Sequence, residues 1–422
     1  VRREEAEGES ARSASLVPPH PGRWRMLLLL CVGVLLGMSL WFTAAASAAE
    51  FSLRWGLSVS QAGWLTTTVQ LGFVGGTALA ALLNLADILP LRRFFAVSAL
   101  LAALANLSML VAPGFGSALL LRFLTGFFLA GVYPPAMKMA ASWFVTGRGL
   151  AIGAVVGALT VGKAAPYLLS VGGGAPGMQR VVWGASAGAL LGGLLILLVY
   201  RDGPVPFDRR PFSWGLVGTV VRHRETRLAS LGYLGHMWEL YPMWTLIGVY
   251  MADHARLAGA DPAEAAVTGA LGAAAAIAVG GPAAILAGAW ADRLGRERIT
   301  IISMALSGGC ALAAGWLIAA PTPVVVALIL LWGGVVVADS AQFSAVVTEV
   351  SPRHAVGTAL TLQTSAGFLL TALTIWGAIE LQASFGWTVA FSALAVGPAL
   401  GIVSMLRLMR GRGREAGPSP IR

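Results

Sequence analysis

The chain has 422 residues, 57% of them hydrophobic and only 11% charged, with a net charge of +10 and a mean hydropathy of +0.77. Soluble domains carry about 25% charged residues, so no soluble core of ordinary size hides this much apolar surface. The excess positive charge would suit nucleic acid, but its placement along the chain argues for membrane topology instead.

The N-terminal tail, residues 1–24, is rich in Ser, Glu, Arg and Pro and is expected to be disordered. Twelve apolar spans follow, at 25–47, 61–84, 93–112, 116–139, 149–170, 181–200, 228–251, 266–289, 299–319, 323–346, 356–379 and 386–407. Each is long enough to cross about 30 Å of hydrocarbon as a helix. Span 1 follows Arg23 and Arg25 but is long and succeeded by many more, which argues against a cleaved signal peptide. Frequent glycine (53) and tryptophan (14) suit close helix packing and interfacial anchoring. Cys31 and Cys310 both lie in apolar segments and read as packing residues, neither a disulfide nor a metal site.

All but six of the 29 Lys and Arg fall on one side of this threading. Only Arg54, Arg180 and Arg256 lie in the opposite loops, and Arg122, Lys138 and Lys163 fall inside spans. Arginine-rich loops stay in the cytoplasm. Both termini and the linker 201–227 are therefore expected there, in a bacterial inner membrane. The linker is the longest polar interruption and divides six spans from six; Trp214–Val221 within it suits a short helix at the membrane surface. The fold class is an all-α polytopic membrane protein. Its expected units are a bundle at 25–200, the linker, a second bundle at 228–408, and a tail at 409–422.

An internal repeat supports the division. GTALAALLNLADILPLRR after span 2 matches PAAILAGAWADRLGRER after span 8, pairing Asp87 with Asp292 and Arg93 with Arg298. LTGFFLAGVYPPA in span 4 matches WGGVVVADSAQFS in span 10, placing Gly131 opposite Asp339. Two half-bundles rocking about a central site would give such a repeat.

With this count and repeat, the chain resembles the major facilitator superfamily over roughly residues 25–408. The loop GAWADRLGRER carries the family pattern at Gly288, Asp292, Arg293, Gly295 and Arg296. The earlier copy departs from it, with Asn84 and Pro90 at glycine positions and Asp87, Arg92 and Arg93 kept. The resemblance implies the major facilitator fold and a gating role for these loops through charge pairing between helices, carried to Asp292 and Arg296 and also to Asp87. Span 4, RFLTGFFLAGVYPPAMKMAASWF, resembles family transporters whose outer arginine faces the pathway. Span 5 has Gly153, Gly157 and Gly162 followed by Pro166. The overall pattern is nearest the nitrate/nitrite and cyanate-like porters. The arginines inside spans 2 and 8 on which the nitrate branch relies are absent, which argues against nitrate itself.

Intramembrane polar residues mark pathways, because bare charge in hydrocarbon is expensive. Glu239 lies near the midplane of span 7, with His236 and Tyr233 at three-residue spacing on its face, a proton relay or a hold for a cationic or hydroxyl-bearing solute. The alternative is a structural Glu paired with a neighbouring helix. Asp339, with Gln342 beside it, either lines the inner half of the pathway or caps a broken helix. Arg122 either attracts an anion, pairs with an acid or snorkels outward. Lys163 is too deep to snorkel easily and is the second candidate for attracting negative charge, whereas Lys138 reads as structural. Tyr133, Pro134 and Pro135 interrupt span 4 as a hinge or a static bend. Trp41, Trp238 and Trp244 are candidates for a cavity wall, with packing as the alternative.

No Walker loop, zinc-protease or paired CxxC pattern is present, so neither ATP drive, metal nor cofactor is called for. The sequence points to a monomeric secondary transporter of a small polar or anionic solute, proton-coupled, in contact with membrane lipid and not nucleic acid. The rival readings are proton-driven drug or amphiphile efflux and a non-transporting sensor or scaffold.

Overall fold

The computed structural model describes residues 20–144, 147–171, 177–204 and 212–415, the side chains of Asp87, Arg148 and residues 413–415 excepted. Within these residues the chain is helical and has no strand. All twelve expected spans form. Span 1 is Arg23–Met38 with a short continuation at Thr43–Ala46, span 2 Val59–Leu82 and span 3 Leu91–Leu107. Span 4 is Phe115–Leu129 and Tyr133–Trp143, span 5 Arg148–Val171 and span 6 Gly177–Leu198. Span 7 is Arg224–Leu257, span 8 Pro262–Ala278 and Gly280–Leu294, span 9 Arg296–Ala314, and span 10 Thr322–Ala338 and Ser340–Val350. Spans 11 and 12 share Val356–Leu394, and span 12 continues over Val396–Glu415.

Composition alone qualifies nine described stretches as membrane spans, and one of them, 353–412, holds two. The chain turns back inside it at Gly386, whose φ of 80° suits glycine. Trp387 donates its indole N–H to Asp253 at the end of span 7, and by Met405 the chain has returned to Gly232 near the start of that span.

Local chemistry sets the ends. Ser58 and Gln61 exchange a reciprocal capping box at span 2, and Asp261 accepts from the backbone of Ala263 and Glu264 ahead of Pro262 at span 8. Glycine sets the packing inside. A side chain at Gly72, Gly76 or Gly126 would run into the backbone of the facing helix where spans 2 and 4 cross.

Spans 1–6 and 7–12 meet along two seams, span 2 against span 11 and span 5 against span 8. The second seam uses the span 5 glycines: Gly157 lies against Gly281 and Gly153 against Ala284. Two boundaries differ from expectation. Span 7 begins at Arg224, inside the expected linker, because His223 caps it through Thr226. The last helix runs to Glu415, into the expected tail. The surface helix of the linker forms at Trp214–Arg222, and the residues 1–19, 205–211 and 416–422 lie outside the description.

Candidate functional site

Span 1 stops being helical at residues 39–42, and that break organises the first bundle. Non-helical backbone at membrane depth needs internal partners, and Arg122 supplies them. Its guanidinium donates to the carbonyls of Leu40 (3.2 Å), Trp41 (2.5 Å) and Leu65 (3.3 Å), to Thr43 Oγ1 (2.9 Å) and to Asn106 Oδ1 (3.1 Å). Asn106 in turn donates to Ser186. Arg122 is 0% exposed and has no acidic partner among the described residues. It neither snorkels outward nor pairs with an acid. Its fork is spent on the freed backbone of span 1, and it thereby fixes Trp41.

Trp41 forms one wall of a cage around Lys163. The ammonium lies 4.1 Å from the Trp41 ring, 4.5 Å from Tyr241 and 5.1 Å from Trp244, and donates one hydrogen bond, of 2.5 Å, to the Tyr241 hydroxyl. Cation–π attraction of this kind strengthens when water is absent. No carboxylate among the described residues reaches Lys163, and Lys163, Trp41 and Trp244 are each at most 1% exposed. The indole N–H groups of Trp41 and Trp244 are buried without a partner, as are both amide ends of Gln70 and Gln363. Buried polar groups are rarely left so. The cage straddles the two bundles: Trp41 and Lys163 come from spans 1 and 5, Tyr241 and Trp244 from span 7. Phe73 and Phe368 close it from spans 2 and 11, with ring centroids 4.6 Å apart.

The acids of the second bundle face elsewhere. Glu239 is 1% exposed and accepts from Ser307 Oγ and from the Trp332 indole, both at 2.8 Å. No basic group pairs with it among the described residues. It thus points between spans 7, 9 and 10 and is held by neighbouring helices. His236 turns to span 10, with Nδ1 2.8 Å from Asp339 Oδ1 and Nε2 2.8 Å from Ser340 Oγ. The Asp339 contact has ion-pair distance but not hydrogen-bond geometry. Tyr233 packs on Gly367 and Phe343. Tyr233 and His236 lie in ring contact, 6.1 Å apart, and share Phe343, while Glu239 turns to Ser307 and Trp332; no hydrogen bond joins the three among the described residues. Asp339 does mark a broken helix, the step from Ala338 to Ser340. The aligned position in the first bundle, Gly131, sits in the break of span 4 at 130–132. That break precedes Tyr133, Pro134 and Pro135, which begin the next segment where prolines are tolerated. Tyr133 is half-buried and packs against the core cluster that contains Trp41 and Tyr241.

The arginine-rich end carries the loop pair. Arg296 donates to Glu349 Oε1 (2.7 Å) and to the buried Gln342 Oε1 (2.9 Å), and lies 3.5 Å from Asp292. A Cβ on Gly149 would lie 3.0 Å from the Asp292 carboxylate, so Asp292 sits at the N-terminus of span 5, across the seam, where a negative charge is favoured. Gly288 packs on the carbonyl of Gly149. Gly295, with φ 92°, ends span 8, and Arg293 is exposed. In the earlier copy Arg93 is exposed, Arg92 pairs with Asp202 at 3.4 Å, and the Asp87 side chain lies outside the described residues.

Among the residues expected from the sequence, Lys163, Trp41 and Trp244 lie together, and Tyr241 and Phe368, which were not expected, lie with them. Tyr241, Phe368 and the unpaired glutamines carried no signal beyond being polar or aromatic in an apolar span. Trp238 belongs to the second bundle, donating to the Ala393 carbonyl. Both cysteines are free.

Comparison with known proteins agrees with the fold. The Major Facilitator Superfamily pattern matches residues 28–374. The puromycin resistance protein pur8 of Streptomyces alboniger is 31% identical over 174 residues, which is 41% of this chain and 34% of that protein, about a third of its length. A mutant of the nucleoside transporter NupG superposes with a TM-score of 0.65 at 16% identity, over 91% of this chain and 99% of that one. A bacterial homologue of the human lysosomal transporter Spinster, inward-facing and unoccupied, superposes with a TM-score of 0.63 at 17% identity, over 93% and 96%.

Proposed function

Because this chain belongs to the major facilitator superfamily, we propose that it is a secondary active transporter that carries a small anionic solute across a bacterial inner membrane by alternating access, both termini being cytoplasmic. The observation that carries this reading is Lys163, a cation sealed between the bundles with one neutral hydrogen-bond partner and three aromatic faces. A lone buried ammonium is costly, and an incoming anion removes that cost. Gln70 and Gln363, unpaired on the facing spans 2 and 11, offer further polar contacts to the solute.

Access alternates as the seams open in turn. Asp292 at the start of span 5 and Arg296 with Glu349 hold the arginine-rich end closed. The short helix Ser340–Val350 links this end to the interior: Ser340 bonds His236, and Gln342 and Glu349 bond Arg296. A proton arriving at the His236–Asp339 pair alters one end of that helix and loosens the gate at the other. Glu239 is a second proton carrier in the same bundle.

The test is solute exchange in proteoliposomes, with and without an imposed pH gradient. Lys163→Met should lose exchange by at least 100-fold while Lys163→Arg keeps part of it. Unchanged exchange in Lys163→Met removes the cage from the mechanism.

A second reading is proton-driven efflux of amphiphiles. The pur8 relative and the ring-lined interior favour it. Under it, Lys163→Met would preserve or improve export of cationic amphiphiles. A sensor or scaffold would bind solute without exchanging it. The nitrate and cyanate-like branches rest on the sequence pattern alone.

A further inference from the structure

The cage also constrains the shape of its solute, and this step rests on Lys163 being the solute site. Three observations bear on it. The first is an excess of donors. An ammonium has three N–H donors, and Lys163 uses one of them, on Tyr241. The bordering indoles of Trp41 and Trp244 add two more buried donors with no acceptor. The complement of such a group is acceptor-only, and a carboxylate offers about four lone-pair positions and no donor.

The second is the charge. The cage holds one cation, Lys163, and no acid reaches it among the described residues; the other buried cation of this bundle, Arg122, donates to Leu40, Trp41, Leu65, Thr43 and Asn106. A monoanion neutralises it. A dianion leaves a net charge in a dry interior, and an organic cation must share the cage with a like charge.

The third is the rings. Four ring pairs cross between the bundles: Trp41–Tyr241, Trp41–Phe368, Phe73–Phe368 and Phe42–Trp244, with centroids 4.6–6.2 Å apart. They meet at 36–84° and none is stacked flat. Parting the bundles uncovers aromatic faces opposite one another beside the ammonium. A hydrated inorganic anion would satisfy Lys163 but leave those faces bare. A planar apolar body would replace the lost ring contacts on both sides.

We propose that the solute is an aryl monocarboxylate, its carboxylate on Lys163 and the indole N–H groups and its ring between Trp41, Tyr241 and Phe368. The experiment uses the full chain, purified and reconstituted, with benzoate, butyrate, phosphate and benzyltrimethylammonium as probes. Binding is read by tryptophan fluorescence and transport by counterflow. Benzoate should bind at least tenfold more tightly than each of the other three. Lys163→Met should weaken benzoate at least 30-fold, and Lys163→Arg by less. Trp244→Phe, which keeps a ring but loses the N–H, should weaken it roughly threefold to tenfold. Butyrate or phosphate binding as tightly as benzoate overturns the aryl requirement and leaves anion transport standing. Benzyltrimethylammonium binding best, and gaining from Lys163→Met, overturns the anionic solute altogether. Absence of counterflow with every probe, together with absence of binding, overturns both this inference and the assignment of Lys163 as the site.

Discussion

Arg122 and Lys163 are both fully buried cations of the first bundle, neither with a carboxylate beside it, yet they are built in opposite ways. Arg122 donates to five protein acceptors, two of them backbone carbonyls at the break in span 1 and a third that of Leu65 in span 2. Lys163 has one hydroxyl and three ring faces. A charge whose every nitrogen donates to the protein holds the fold. One whose donors are left over is available to something that comes and goes. Burial alone does not separate the two cases; the inventory of donors and acceptors does.

The sharpest way to break this contrast is to neutralise each cation in turn. Arg122→Met should cost about 3–5 kcal/mol, since it strands the carbonyls of Leu40 and Trp41 in a dry interior. Arg122→Lys should rescue little, because an ammonium lacks the planar fork. Thermal unfolding in detergent measures both. Lys163→Met should move stability the other way, by about 1–4 kcal/mol, since an unmatched buried charge gives way to an apolar chain of similar volume. A destabilised Lys163→Met protein would place Lys163 with Arg122 as architecture.

The acids of the second bundle extend the same comparison. Glu239 has both oxygens answered, whereas Asp339 keeps one without a hydrogen bond beside His236. Asp339→Asn should therefore reduce the response of exchange to a pH gradient about tenfold, equivalent to about 1.4 kcal/mol. Glu239→Gln should reduce it less. The reverse order, measured by gradient-driven uptake, would return the coupling role to Glu239. The smallest effect belongs to Arg296→Ala. Its pair with Glu349 is partly solvated, and such pairs contribute about 0–1 kcal/mol. Labelling of a cysteine introduced at the arginine-rich end should rise only a few-fold.

Much of this architecture was legible in the chain itself. Span lengths, arginine asymmetry and the loop repeat depend on local composition, so the twelve helices and the alignment of Gly131 with Asp339 followed from them. The partners of the buried charges did not. Glu239, His236 and Tyr233 share a helical face in sequence, but their contacts lie on spans 9, 10 and 11. Ser307 and Trp332 are 68 and 93 residues from Glu239, and nothing in the pattern links them. Arg122 was harder still to read, because two of its acceptors are main-chain carbonyls freed by a break that no side-chain motif announces. Lys163 was found because an unsnorkelled lysine in a glycine-rich span is unusual; its aromatic company was hidden among many other rings.

Gly149 sets the carboxylate of Asp292 against bare backbone in the seam between spans 5 and 8. A methyl group there would stand about 3.0 Å from that carboxylate, which would have to give way. Alanine at 149 would push that carboxylate off the start of span 5 and loosen the two bundles at that end without removing a charge. The resting population would then tilt toward the conformer open on the arginine-rich side, by steric exclusion alone and with no solute bound.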